Sequence, residues 1–121
     1  MKKIFEYKYF NGLTEQELLE MANVNYETTG IKDVVLWIGP NSEYHGRRIK
    51  ICNIPNKFVA TDCFTLTIPD FKIIGNVNDK LITSEVLEKI KEFITINYQL
   101  ICDYSDYLIS TKNLIDNLKK V

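Results

Sequence analysis

The stretch "VVLWIGPNSEYHGRRIKIC", Val34 to Cys52, holds two apolar runs on either side of a polar loop, and its reading decides the fold. Val34 to Ile38 is β-branched or bulky throughout and stops at Gly39-Pro40, which predicts a strand buried on both faces. "RRIKIC" alternates instead, with Arg48, Lys50 and Cys52 on one side and Arg47, Ile49 and Ile51 on the other. The two runs, joined by "GPNSEYHG", make an antiparallel hairpin with a long loop.

Downstream, "NIPNKF" supplies a turn at Pro55-Asn56. "DCFTLTI" then sets Phe64, Leu66 and Ile68 against Thr65 and Thr67 with period two. Pro69-Asp70 ends that strand, and "FKIIG" is a further short one closing at Gly75. Upstream, Phe5, Tyr7 and Tyr9 alternate in "EYKYF", an edge-strand pattern, and Asn11-Gly12 marks a turn. "TEQELLEMAN" has capping-box spacing at Thr14 and Glu17 and a short apolar face at Leu18, Leu19, Met21 and Ala22, which predicts a helix of about two to three turns.

From Thr83 the period changes. Val86, Ile90, Phe93, Ile94, Asn97 and Ile101 recur at three and four residues, so one long amphipathic helix is predicted, with Thr83 or Ser84 as N-cap. Asn97 interrupts the apolar stripe and reads as a rim residue or a buried hydrogen bond. Ser110 begins a short final helix, "STKNLIDNLKK", in which Leu114, Ile115 and Leu118 are apolar and Lys119-Lys120 fall at the negative end of the dipole. Trp37, between Leu36 and Ile38, reads as core.

The expected fold is therefore α+β: a four- or five-stranded antiparallel sheet, the long helix packed on one face, and a short last helix. The 121 residues fit one domain, 1–121, able to bury a single core. With 15 basic and 16 acidic residues the net charge is −1, so no bulk positive field recruits nucleic acid or anionic lipid. No stretch approaches the ~18 apolar residues of a membrane span, and "MKKIFEYKYF" is broken by Glu6 and Lys8 before a signal-peptide core can form. Cytoplasmic placement without a membrane partner is the expectation.

Cys52, Cys63 and Cys102 show no C-x-x-C spacing and His45 is the single histidine, so no metal site and no disulfide framework is suggested. The three read as buried thiols. Cys52 and Cys63 fall on neighbouring strands and can come close, which leaves a bridge between them open, although a reducing compartment opposes it.

Potential chemistry concentrates in one place. In "EYHGRRIK", Tyr44 and His45 precede Gly46, where the chain can take positive φ or approach a ligand closely, and Arg47-Arg48 follow. A guanidinium offers a planar fork to phosphate or carboxylate, and a histidine exchanges a proton near neutral pH. Tyr44, His45, Gly46, Arg47 and Arg48 are thus the candidate ligand-binding residues, for an anionic, nucleotide-like small molecule or a host protein. Neighbouring arginines on a strand face opposite sides, so only one joins His45. The plain alternative is a solvent-exposed turn with edge-strand cations.

No Walker loop, dinucleotide fingerprint, nucleophile elbow or H-E-x-x-H occurs, so no cofactor and no catalytic residue is assigned. A catalytic alternative keeps His45 as proton donor, with Arg47 or Arg48 stabilising a phosphate, in a small ribonuclease-type toxin. A third reading places a protein contact at "DYSDY", through Tyr104 and Tyr107 beside Asp103 and Asp106. Symmetric pairing of edge strands offers a route to a homodimer.

The order "VVLWIGPNSEYHGRRIKICN", "VLEKIKEFITINYQLICDYSD", "LISTKNLIDNLKK" contains a W-x-x-P hairpin, an H-G-x-R-I-K strand, a helix and a short capped tail. It resembles small uncharacterised proteins of phage, prophage and plasmid genomes from Val34 to the C-terminus. The resemblance implies an accessory protein of a mobile element, acting on host defence. It carries over no catalytic residue.

Overall fold

A computed structural model describes residues 22–39, 46–52 and 63–121. Among them are strands β1 (Ala22–Val24), β2 (Leu36–Ile38), β3 (Arg48–Cys52), β4 (Cys63–Thr67) and β5 (Ile73–Ile74). They form one five-stranded antiparallel meander in the order β1-β2-β3-β4-β5. The expected hairpin is β2-β3, with Trp37 opposite Lys50 and Ile38 opposite Ile49.

Register sorts the side chains into two faces. One carries the rows Ala22-Ile38-Ile49-Leu66-Ile73 and Val24-Leu36-Ile51-Phe64, because residues paired across a ladder share a face. All of these but Ile73 are buried, and they join Ile90, Phe93, Ile94, Ile101, Tyr104 and Leu114 from the helices in one apolar core. Full burial of each large aliphatic or aromatic side chain favours the fold by about 1.5–3 kcal/mol.

The other face carries the row Asn23-Trp37-Lys50-Thr65-Ile74, with Cys52 opposite Cys63 and Arg48 opposite Thr67. Its centre is also buried: Lys50 donates from Nζ to Thr65 Oγ1 at 3.3 Å, and Cys52 is 1% exposed. Trp37 is half-buried here and stands outside the apolar core, contrary to the core position expected for it.

The amino-terminal end of the described region departs from expectation. Ala22 and Asn23 belong to β1, not to the end of a helix, because Ala22 and Val24 are buried on one face with Asn23 exposed on the other. Asn25 then caps a single helical turn, α1 (Tyr26–Thr29), accepting from Glu27 N at 3.2 Å, and Gly30 closes it at φ 80°. The remainder of the predicted helix, the "EYKYF" strand and the Pro55-Asn56 turn lie outside the described residues.

The long helix is also revised. It begins as expected, Thr83 Oγ1 accepting from Val86 N at 3.3 Å, but divides into α2 (Ser84–Ile96) and α3 (Tyr98–Ser105). Asn97 is the junction, at φ −111°, ψ 14°. Its side-chain Nδ2 donates to Phe93 O and to Lys119 O, each at 2.9 Å, while its Oδ1 accepts from Lys119 N at 2.8 Å. The buried amide therefore ties the backbone of the C-terminal segment to the point where the helix divides. The expected buried hydrogen bond is present.

Ser110 caps α4 (Thr111–Asn117), accepting from Asn113 N at 3.1 Å. Lys119 and Lys120 lie beyond that helix, and Lys119 is held through its backbone, not by the helix dipole. Val121 N donates to Thr29 O at 3.0 Å, closing the C-terminal segment onto α1. No described helix is long and apolar enough to cross a membrane.

Candidate functional site

The five sequence-predicted site residues divide. Tyr44 and His45 lie outside the described residues; Gly46, Arg47 and Arg48 are placed. Gly46 has φ 65°, the left-handed region expected for a glycine, and among the described residues a Cβ there would meet nothing within 4 Å. The glycine thus answers a backbone requirement, the left-handed φ.

Arg47 and Arg48 diverge. Arg48 is half-buried at the start of β3 on the face of Lys50 and Cys52. Arg47 follows the parity of Ile49 and Ile51 to the core side, where α3 ends, and its Nη2 donates to Asp106 Oδ2 at 2.5 Å. The two arginines therefore do not converge on one ligand.

Asp106 follows Ser105, and Ser105 Oγ donates to the Gly39 carbonyl at 2.9 Å in a buried contact. Gly39 and Arg47 flank the β2-β3 loop. Its two ends are thus fastened to consecutive residues at the C-terminal end of α3, one by a hydroxyl and one by an ion pair. The Arg47 carbonyl also accepts from Ile68 N at 3.2 Å, which ties the same point to the end of β4.

The electrostatics follow from these contacts. The Arg47 guanidinium is pushed above its ordinary value chiefly by the hydrogen bond to Asp106, with burial acting in the opposite sense. Its Nε is buried with no hydrogen-bond partner among the described residues, so there the Asp106 contact orients it. One turn before Cys102 on the same helix, Tyr98 is held above the usual phenol range, first by a hydrogen bond with Cys102 and then by burial, while the Arg47 cation pulls it down. Tyr98, Cys102 and Asp106 recur at four-residue spacing, which places them on one stripe of α3 beside Arg47.

No protein-family model, curated protein or solved structure matches this chain.

The "DYSDY" segment is resolved in detail. Asp103 accepts from Gln99 Nε2 at 2.8 Å, as a solvated helix-end carboxylate does, whereas Asp106 is engaged by Arg47. Tyr104 is buried, its hydroxyl 3.0 Å from Thr111 Oγ1, so its ring is core. The accessible aromatic of the pair expected at a protein contact is Tyr107, at φ 63° with Leu108 exposed beside it. Among the described residues no group of three or more histidine, cysteine or carboxylate side chains is arranged to hold a metal.

Sequence reasoning missed Ser105, and it placed Asp106 only beside Tyr104 and Tyr107, not opposite Arg47. Two signals pointed to them: the shared parity of Arg47 with Ile49 and Ile51, the most apolar side of β3, and the polar residues beside Ile101 at helical spacing. Together these bring a cation and a carboxylate to the same rim of the core.

Proposed function

We propose that this chain is a cytoplasmic, non-enzymatic binding module of a mobile genetic element, directed at host defence, whose 41–48 loop holds an anionic, nucleotide-like ligand or a protein partner. The observation that carries the reading is the double fastening of the loop's flanks, Gly39 to Ser105 and Arg47 to Asp106. Recognition residues on loops are effective when a rigid scaffold positions them, and Tyr44 and His45 lie between these two fixed points. The resemblance to phage and plasmid accessory proteins supplies the setting.

The ion pair weighs against the ribonuclease alternative. A carboxylate on Arg47 sits where a phosphate would need the cation and repels an approaching dianion, so Arg47 is a poor transition-state stabiliser while the pair is intact. Binding does not require that step.

The test is a thermal melt of the wild-type chain, Arg48→Ala, His45→Ala and Asp106→Asn against mono-, di- and cyclic nucleotides and short RNAs. A ligand at 100 times its dissociation constant stabilises by about 2.7 kcal/mol, several degrees for a domain of this size. A shift present in the wild type and lost in Arg48→Ala or His45→Ala supports an anion site. RNA cleaved by the wild type and left intact by His45→Ala would replace the binding reading with the catalytic one. If no nucleotide shifts any variant and the RNA stays intact, the anion arm fails and a protein partner at the loop is what remains of the reading.

A further inference from the structure

On the face of the sheet away from the apolar core, Cys52 closes β3 and Cys63 opens β4, and the two are directly opposed in the antiparallel register. Their Sγ atoms are 3.3 Å apart, and the side chains are thiols not joined by a disulfide. Opposed residues of an antiparallel ladder have Cα atoms about 4.5–5.5 Å apart, inside the ~4.4–6.8 Å that a disulfide spans. No strand needs to move for a bond to form.

The pair is also unequal. Cys52 is 1% exposed, whereas Cys63 is partly open to solvent. Cys102, the third thiol, is buried on α3 in a hydrogen bond with Tyr98. Of the pair, one cysteine therefore has surface open to solvent and its partner has almost none, and the third thiol belongs to a different part of the molecule.

We propose that Cys52 and Cys63 form a redox-active dithiol, with Cys63 the attacking and Cys52 the resolving thiol, that a low-molecular-weight disulfide converts into an intramolecular bond. The Cys63 thiolate attacks one sulfur of the oxidant, forming a mixed disulfide and releasing the first small thiolate. The Cys52 thiolate then attacks the Cys63 sulfur, forming the protein disulfide and releasing the second. The protein loses two electrons and two protons, and the oxidant leaves as two thiols. The product joins β3 to β4 at the base of their connecting segment, so the site acts on the hairpin opposite the end that carries Arg47. In reducing compartments, disulfides that do form are typically transient and redox-sensing, which is the behaviour this geometry suits.

The experiment uses the folded 121-residue chain, incubated with oxidised glutathione and read by intact mass, thiol counting and non-reducing peptide mapping. The expected product has lost two hydrogens, retains one of its three thiols, and yields a single cross-linked peptide pair containing Cys52 and Cys63. Cys102→Ser should give the same bond and leave no thiol. Cys52→Ser should stop at a glutathione adduct on Cys63, and Cys63→Ser should take up no glutathione on Cys52. Reduction with dithiothreitol should restore three thiols. A stable glutathione adduct on the wild-type chain, a bond that includes Cys102, or a Cys52–Cys63 bond that forms only in denaturant would overturn the proposal.

Discussion

Arg47 and Asp106, 59 residues apart in sequence, are ion-paired through one guanidinium nitrogen at the rim of the core. Each side chain keeps about a third of its surface in water, at 33% and 30%, so solvent screens the attraction. A double-mutant cycle with Arg47→Ala and Asp106→Ala should return a coupling of about 1 kcal/mol, and that coupling should shrink in high salt. Urea melts of the four proteins at two ionic strengths measure it. A coupling indistinguishable from zero would mean that the loop's second fastening is not energetic.

Asn97 should be the most sensitive polar position. Replacing it with Ala removes the bonds to Lys119 N and O and leaves Lys119's backbone groups to find water. The expected cost is on the order of 2–3 kcal/mol, because partly buried backbone groups lose partners as well as the asparagine. Hydrogen exchange should show the Lys119 amide opening, and with it the Val121 amide that bonds to Thr29 O. Unchanged protection at both would refute the role assigned to the helix junction.

The apolar core makes the least subtle prediction. Ile90 and Phe93 have no exposed surface, so an aspartate at either position would bury a charge without a partner. Ile90→Asp and Phe93→Asp should both fail to give soluble folded protein, and Phe93→Ala should cost about 3–5 kcal/mol. Circular dichroism and denaturant melts decide the matter.

What was legible in the sequence was local. Thr83 and Ser110 announce their helices because a cap needs only a neighbour three residues on, and alternation in β3 and β4 needs only the pleat. β1 escaped notice because three residues, Ala22 to Val24, give too short a run to separate strand from helix period. Asn97 was recognised as an interruption, but a break in the helix depends on Lys119, a partner 22 residues away. The surroundings of the candidate site were hidden for the same reason: parity separated Arg47 from Arg48, yet nothing in "HGRR" says that the helix end arriving beside it carries Asp106.

Two glycines in positive-φ conformations offer a matched comparison. At Gly46, with φ 65°, an added Cβ meets none of the described residues within 4 Å, so Gly46→Ala should cost the strain of the left-handed backbone, about 1–2 kcal/mol. At Gly30, with φ 80°, the same atom would stand 2.5 Å from the Val121 carbonyl oxygen, and backbone would have to move. Gly30→Ala should therefore be clearly the more destabilising. Equal midpoints for the two variants in urea would contradict the close approach of the C-terminal segment.

Tyr98 sets an alkaline signature. Its phenol is raised above the ordinary value of 10.0 in the folded chain, mainly by the Cys102 hydrogen bond. Above pH 10 the unfolded chain has released this proton while the folded chain retains it, so the unfolded state binds fewer protons and stability falls as pH rises. The contribution is complete below pH 10 and disappears as pH passes through the folded value. Arg47, also raised, stays protonated throughout this window and leaves it undisturbed. Tyr98→Phe should lower stability at neutral pH through the lost bond to Cys102, and its stability should decline less steeply than the wild type's above pH 10. Parallel curves for the two proteins across that range would show that Tyr98 titrates alike in both states, and the stripe beside Arg47 would lose its electrostatic reading.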